Sequence, residues 1–185
     1  MIKLIVLDRD GVINEDSPDY IRSPDSWQPI PGSMQAIAKL KAYGYKIAVA
    51  TNQSGIARGY FTLETLKAIH DKMLLEIRAA LGDIDEIFIC PHGPDDNCSC
   101  RKPKTGLLVQ AAQKFQISPA EMLVIGDSWR DIEAARSFGA NAIFVFSSGK
   151  TADKLKAEQL KIPVYNNLLL AVEDFCQHRQ ILNLA

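Results

Sequence analysis

Residues 3–14 read KLIVLDRDGVIN, and this stretch decides the fold. The short apolar run Leu4–Leu7 is typical of a buried strand in a parallel sheet. Two carboxylates, Asp8 and Asp10, follow it, with Gly11 directly behind them. Open α/β sheets bind their ligands just beyond the carboxyl ends of the strands. We therefore interpret Asp8 as a nucleophile or metal ligand and Asp10 as a proton donor. An ordinary polar loop after a strand is the alternative.

Further apolar strands alternate with helical segments along the rest of the chain. The later strands are predicted at 46–50, 85–90, 122–125 and 142–146, and Val164 begins a short edge strand. Segments with apolar residues at helical spacing lie between them. This alternation predicts an α/β fold, a three-layer Rossmann-like parallel sheet with helices on both faces. Since no repeat, low-complexity tract or linker interrupts it, residues 1–185 are predicted to form a single domain.

The composition excludes several classes of function. A hydrophobic fraction of 47% is enough for a folded core, and a net charge of −1 gives no basic footprint for nucleic acid. No apolar segment reaches the roughly 18 residues of a membrane helix. Asp8 and Asp10 interrupt the only apolar run near the N-terminus, so no signal peptide is expected. We expect a cytoplasmic monomer that binds neither nucleic acid nor membrane.

Polar residues stand at the ends of four predicted strands, and in a parallel sheet they share one edge. They are Asp8, Asp10, Thr51, Lys102, Asp127 and Asp131. An aspartate can attack phosphorus, and a second carboxyl group can protonate the leaving oxygen and then activate water. A lysine and a hydroxyl can stabilise the charge that develops on the phosphoryl oxygens. Mg²⁺ would bridge the carboxylates and the phosphate. The set therefore predicts phosphoryl transfer on a small anionic substrate.

One cysteine-rich loop follows the third strand and shows the pattern C-x-H-x₅-C-x-C. Its members are Cys90, His92, Cys98 and Cys100. Three thiolates and one imidazole form a closed tetrahedral set for Zn²⁺ that leaves no position for water, so the predicted role is structural. Disulfides are disfavoured in the cytosol, and coincidence is the remaining alternative. The zinc would stabilise a loop that has no apolar core, and it would hold Arg101 and Lys102 in place. Cys176 is interpreted as an ordinary thiol.

The proline-rich segment 15–31 begins at the predicted site and is interpreted as one of its walls. Within it, Asp16 and Tyr20 are candidates for substrate contact, whereas Trp27 is expected to pack the loop against the core. In the helix predicted after Thr62, His70 is expected to be exposed or half-buried rather than a ligand.

Together these motifs resemble the haloacid dehalogenase-like phosphatases. The D-x-D-G signature of that family matches residues 8–11, its hydroxyl motif matches Thr51, its lysine motif matches Lys102, and its G-D-x-x-x-D motif matches residues 126–131. All four occur in the order of the family and span nearly the whole chain. The resemblance implies a minimal cap domain, since no sizeable insertion is visible.

The resemblance also assigns roles to single residues. It implies that Asp8 is the nucleophile and that Asp10 is the general acid and base. Magnesium would be bound by Asp8, the Asp10 carbonyl and Asp127, with Asp131 orienting either the site or the Lys102 ammonium group.

The zinc loop resembles that of small family members that act on sugar bisphosphates and on histidinol phosphate. The run SGIARG at 54–59 favours the first group, and the resemblance then implies removal of the phosphate on carbon 7 of a heptose 1,7-bisphosphate, a step towards lipopolysaccharide. Arg101 would contact the sugar or the distal phosphate. The other residues implied for the substrate pocket are Asp16, Tyr20, Asn52, Gln53, Ser54 and Ser128. The resemblance leaves open whether the α or the β anomer of the 1-phosphate is preferred.

Two alternatives stay open at this point. The five residues between His92 and Cys98 are a spacing also found in histidinol-phosphate phosphatases, which keeps that substrate in consideration. A phosphoacceptor receiver domain of a signalling system also uses Asp, Thr and Lys on a parallel sheet. However, its phosphoacceptor follows the third strand, and here that strand leads into the cysteine loop.

Overall fold

The structure is a computed structural model that describes the backbone of residues 1–147 and 149–182 and the side chains of residues 1–147 and 149–178. Six parallel strands form one sheet in the order β3-β2-β1-β4-β5-β6. They are β1 Leu4–Leu7, β2 Lys46–Asn52, β3 Glu86–Cys90, β4 Met122–Gly126, β5 Asn141–Val145 and β6 Val164–Tyr165. The predicted parallel sheet, including its short edge strand, is confirmed. Because β1 is central, the chain order of the strands reverses beside Asp8.

Helices cover both faces of the sheet. They are α1 Ser33–Ala42, α2 Leu63–Ala79, α3 Gly106–Phe115, α4 Trp129–Phe138, α5 Thr151–Gln159 and α6 Leu168–Leu182. No helix in the described part of the chain is both long and apolar enough to cross a membrane.

Strand β1 is buried on both faces, as its unbroken apolar sequence predicts. Ile5 and Leu7 belong to the core cluster that includes residues of α1, α2 and α6. Leu4 and Val6 point the other way, into the cluster shared with α3 and α4. All four side chains are fully buried. Two cores on opposite sides of one sheet confirm the three-layer architecture.

Segment 15–31 is tied to the body of the protein at several points. A bridge joins Asn14 to Pro29, and a 3-10 turn spans Pro24–Ser26. Trp27 is fully buried, which confirms the packing role predicted for it. The Nζ atom of Lys72 on α2 donates hydrogen bonds to the Pro24 and Trp27 carbonyls. These contacts fix the loop beside the carboxyl end of β1.

His70 corrects the sequence prediction. It lies on the inner face of α2 with 6% of its surface exposed, not at the surface or half-buried. The buried residues of this helix are Leu66, Ile69, His70, Met73 and Ile77. That spacing is the apolar stripe of an amphipathic helix, so the position of His70 follows from the periodicity of its neighbours.

Candidate active site

The predicted strand-end residues converge on one cavity of about 330 Å³ at the carboxyl edge of the sheet. Asp8 follows β1 and Asp127 follows β4, while Thr51 is the last but one residue of strand β2 rather than a residue after it. Lys102 reaches the same cavity from the loop after β3. Adjacent parallel strands place their carboxyl ends side by side, which is why residues distant in sequence meet here.

Lys102 lies at the centre of a buried charge network. Its Nζ atom is 2.6 Å from Asp131 Oδ1 and 2.9 Å from Asp8 Oδ1, and it donates a hydrogen bond of 2.7 Å to the Ala50 carbonyl. The lysine side chain is only 4% exposed. The contact with Asp131 matches one of the two roles that the family resemblance implied for this residue. The ammonium group is therefore held directly beside the candidate nucleophile.

Burial raises the pKa of Asp8 to about 7. The charge of Lys102 lowers this pKa, whereas the nearby carboxylates of Asp131, Asp127 and Asp10 add to its rise. A nucleophilic carboxylate has to be ionised, and a cation bound beside it would lower this pKa.

A group of three carboxylates provides a suitable place for that cation. Oxygen atoms of Asp8, Asp127 and Asp131 lie within 4.8 Å of one another. Asp127 Oδ2 accepts hydrogen bonds from Ser147 Oγ and Lys150 Nζ, at 2.6 and 2.7 Å. Asp127 Oδ1 is buried and accepts no hydrogen bond within the described residues. An all-oxygen donor set with a buried unpaired oxygen fits a hard cation such as Mg²⁺.

Asp10 is oriented by a separate set of contacts from the loop after β1 and from the residue that follows β2. Arg9 donates from Nε and Nη2 to the Asp10 carboxylate at 2.9–3.0 Å, and Asn14 and Gln53 donate at 2.9 and 3.0 Å. Burial raises the pKa of Asp10, but the Arg9 charge and these hydrogen bonds lower it further, to below its usual value. The Asp10 side chain lies outside the group of three carboxylates, so only its carbonyl remains available for the metal role that the resemblance implies.

The four zinc-candidate residues form a tight cluster after β3. The Sγ atoms of Cys90 and Cys98 are 3.7 Å apart and those of Cys90 and Cys100 3.1 Å. His92 Nδ1 lies 3.3 Å from Cys100 Sγ and 3.7 Å from Cys90 Sγ. Tetrahedral ligands about 2.3 Å from a zinc ion would be about 3.7 Å apart, so the cluster has nearly the required dimensions.

The residues predicted to bind substrate all line the cavity, but several also hold other side chains. Asp16, Tyr20, Ser54 and Arg101 are part of its wall. Asn52 exchanges two hydrogen bonds of 3.1 Å with the Lys102 backbone.

Gln53 and Ser128 also form hydrogen bonds to other side chains of the cavity. Gln53 Nε2 donates to Asp10 Oδ2 and to Thr51 Oγ1, and Ser128 Oγ donates to Asp131 Oδ2 at 2.6 Å. The structure thus places these two residues, like Asn52, within reach of a ligand and also against the candidate catalytic groups.

Sequence reasoning missed four basic residues that line the cavity. They are Arg9, Arg58, Arg130 and Lys150. Lys150 lies 3.5 Å from Asp16 Oδ2 and also contacts Asp127. A signal for Lys150 was available, because Ser147 and Lys150 follow the fifth strand just as the other polar residues follow theirs.

Fold and site together place an aspartate-centred pocket, with three carboxylates suited to a cation, at the carboxyl edge of a parallel sheet. A family model described as haloacid dehalogenase-like hydrolase matches residues 16–139, and the chain belongs to this family. The matched segment begins after Asp8 and Asp10, so the geometry of those two residues is an independent observation.

Relatives of the whole chain carry a more specific name. D-glycero-beta-D-manno-heptose-1,7-bisphosphate 7-phosphatase from Neisseria meningitidis serogroup A is 43% identical over 96% of this chain and 94% of the relative. The protein of that name from Pseudomonas putida is 50% identical over 78% of this chain and 82% of its own.

A solved structure gives the same picture. D,D-heptose 1,7-bisphosphate phosphatase from B. bronchiseptica, complexed with magnesium and phosphate, superposes with a TM-score of 0.91 at 42% identity. The match covers 96% of this chain and 99% of that one.

Proposed function

We propose that this protein is a Mg²⁺-dependent phosphatase that removes the 7-phosphate of D-glycero-D-manno-heptose 1,7-bisphosphate in the synthesis of lipopolysaccharide precursors. The observation that carries the proposal is the position of Asp8, 2.9 Å from Lys102 in a cavity shared with Asp10, Thr51 and Asp127. The names of the relatives support the substrate, and they favour the β anomer.

The reaction follows from the two separately held carboxylates. Asp8 attacks phosphorus to form an aspartyl phosphate while the bond to the sugar oxygen breaks, and Asp10 gives that oxygen its proton. Asp10 then takes a proton from the water that hydrolyses the aspartyl phosphate, which releases inorganic phosphate and restores Asp8. The charge of a bound phosphate raises the pKa of a neighbouring carboxyl group, which favours the protonated Asp10 needed in the first step.

The surrounding groups stabilise the charge that moves during these steps. Lys102 and the Thr51 hydroxyl face the phosphoryl oxygens and compensate their negative charge. Magnesium, bound by Asp8, the Asp10 carbonyl and Asp127, would neutralise further charge on the phosphoryl group. Asp131 keeps the Lys102 ammonium group in place.

Two other functions are less well supported. Histidinol phosphate is the alternative substrate, but the relatives described above are named for the heptose bisphosphate. A receiver domain would place its phosphoacceptor after β3, where this chain has Cys90 and the zinc-candidate cluster.

Phosphate release from both anomers of heptose 1,7-bisphosphate and from histidinol phosphate tests the proposal. We expect the highest kcat/KM with the β anomer, no turnover without Mg²⁺, and no turnover in Asp8→Asn. Asp25→Asn is a matched control, since Asp25 is an exposed carboxylate of the neighbouring loop. A preference for histidinol phosphate would refute the substrate, and appreciable turnover by a folded Asp8→Asn variant would refute the nucleophile.

We also propose that Cys90, His92, Cys98 and Cys100 bind one structural Zn²⁺. The spacing of the four ligand atoms supports this, as do the free thiols of the three cysteines. Arg101 Nη1 donates to the His92 carbonyl, and Lys104 Nζ donates to the Cys98 carbonyl, so the metal would order the loop that leads to Lys102. Elemental analysis should find about one zinc per chain. Cys98→Ser should lose it, whereas Cys176→Ala, which changes a buried cysteine of α6, should retain it.

The remaining predictions concern the protein as a whole. We propose that residues 1–185 form one domain, with 183–185 lying outside the described residues, because all six strands belong to one sheet. A cytoplasmic location suits the thiols of Cys90, Cys98 and Cys100, which form no disulfide. The monomeric state stays a prediction that light scattering can check.

A further inference from the structure

A buried histidine stands behind the candidate acid and base, on the far side of Arg9. The Nε2 atom of His70 is 3.2 Å from Arg9 Nη1, although the two residues are 61 positions apart. Arg9 is 1% exposed and His70 6% exposed. The contact therefore takes place inside the protein, between α2 and the loop that follows β1.

The chemistry of the contact determines the state of the imidazole. A guanidinium group has only donors, so His70 Nε2 has to accept this hydrogen bond and the ring proton has to lie on Nδ1. Burial, and then the charge of Arg9, lowers the pKa of His70 to about 4. The ring is therefore neutral at pH 7 and presents a lone pair to Arg9.

Arg9 links His70 to Asp10 because its guanidinium group binds both residues. Its Nε and Nη2 atoms donate to the Asp10 carboxylate, and Nη2 also lies 3.3 Å from Gln53 Oε1. The Nη1 atom is the end of the guanidinium that faces His70. The planar group is thus held at both ends, and its plane sets the direction of the Asp10 carboxylate.

We propose that His70 is a positioning residue, which through Arg9 orients the Asp10 carboxylate for proton transfer. The inference rests on the proposed function, in which Asp10 moves the proton. An apolar residue at position 70 would leave the buried Nη1 group without an acceptor. A lysine there would place a second cation against Arg9. A neutral imidazole accepts the hydrogen bond and carries no charge. An amide oxygen of similar reach could replace it.

Two substitutions separate positioning from a simple packing role. His70→Leu removes the acceptor and keeps much of the volume, whereas His70→Gln retains an acceptor. We expect kcat on the heptose bisphosphate to fall about 10- to 100-fold in His70→Leu with KM within about twofold, because a misaligned acid costs rate rather than binding. The Gln variant should recover most of the lost rate. His70→Ala replaces the Leu variant if that one does not fold.

The leaving group supplies a second readout. Departure of p-nitrophenolate needs little help from an acid, so kcat/KM for p-nitrophenyl phosphate should fall much less in His70→Leu than kcat/KM for the sugar phosphate. A disturbed fold would instead lower both values to the same extent. Asp10→Asn provides the reference for complete loss of the acid.

A third measurement does not depend on activity. Nitrogen NMR of the imidazole should show a neutral ring with the proton on Nδ1 at pH 7. A proton on Nε2, or equal rates for wild type, His70→Leu and His70→Ala, would overturn this inference alone. A wild-type protein that hydrolyses no phosphomonoester would overturn the proposed function, and the inference with it.

Discussion

Replacing Lys102 by methionine tests whether the buried charge network stabilises the protein as its geometry indicates. The substitution keeps the volume and removes a cation that contacts Asp131 at 2.6 Å, Asp8 at 2.9 Å and the Ala50 carbonyl at 2.7 Å. Removing one partner of a buried ion pair costs about 3–5 kcal/mol, since the other charge is left uncompensated. With a urea m-value of about 2–3 kcal/mol/M, the unfolding midpoint should fall by about 1–2.5 M.

A second substitution separates the charge effect from the loss of a side chain. Adding Asp131→Asn to Lys102→Met removes one stranded carboxylate, so the double variant should be more stable than the two single costs predict, by about 1–3 kcal/mol. The measurement is urea unfolding followed by circular dichroism in magnesium-free buffer.

Activity provides an independent result, because kcat/KM should fall about 10²- to 10³-fold in both variants that lack Lys102. Lys67→Met is the matched control, since this lysine is 75% exposed and its ion pair is worth little. Strictly additive costs, or wild-type stability in Lys102→Met, would refute the reasoning.

Of three further predictions, two concern residues around the site and one concerns a residue at the opposite end of the sheet. Asn52→Ala should lower kcat about tenfold and leave zinc content unchanged, because Asn52 binds the Lys102 backbone. Gly11→Ala should weaken magnesium binding in a titration, since its Cβ would lie 2.0 Å from Asp127 Oδ2. Partial burial raises the pKa of Asp85, but hydrogen bonds from a backbone N–H and two lysines lower it further. Asp85→Asn should therefore cost about 1 kcal/mol in urea unfolding at pH 7, and the difference should shrink as the pH falls from about 4 through the lower folded pKa.

The sequence was sufficient to predict the architecture and the meeting point of the polar residues. The apolar runs are too short for helices and too continuous for a half-exposed sheet, which leaves buried parallel strands. Once the strands are parallel, the residues at the carboxyl ends of β1, β2 and β4 have to share one edge. This is why Asp8, Thr51 and Asp127 could be placed together without knowledge of the side-chain contacts. Their chemical roles remain predictions.

The sequence was less informative about polar residues that act on other residues of the protein. His70 was expected near the surface because histidine is polar, yet its spacing from Leu66, Ile69 and Met73 placed it on the buried stripe of α2. The periodicity was the better guide. No local pattern could show that the stripe would bring His70 to Arg9, since that depends on how α2 packs against the sheet.

The run Thr51-Asn52-Gln53 likewise makes side-chain contacts that the sequence did not predict. Thr51 was expected to stabilise the phosphoryl oxygens, and Asn52 and Gln53 were expected to line the substrate pocket. In the sheet, β2 lies between β1 and β3, and the two amides divide accordingly. Gln53 binds Asp10 in the loop after β1, and Asn52 binds Lys102 in the loop after β3. The end of β2 therefore joins the candidate acid to the candidate charge stabiliser. A change in the position of this strand end would move both candidate groups at once, so Asn52 and Gln53 can affect the candidate site through Lys102 and Asp10 without touching the substrate.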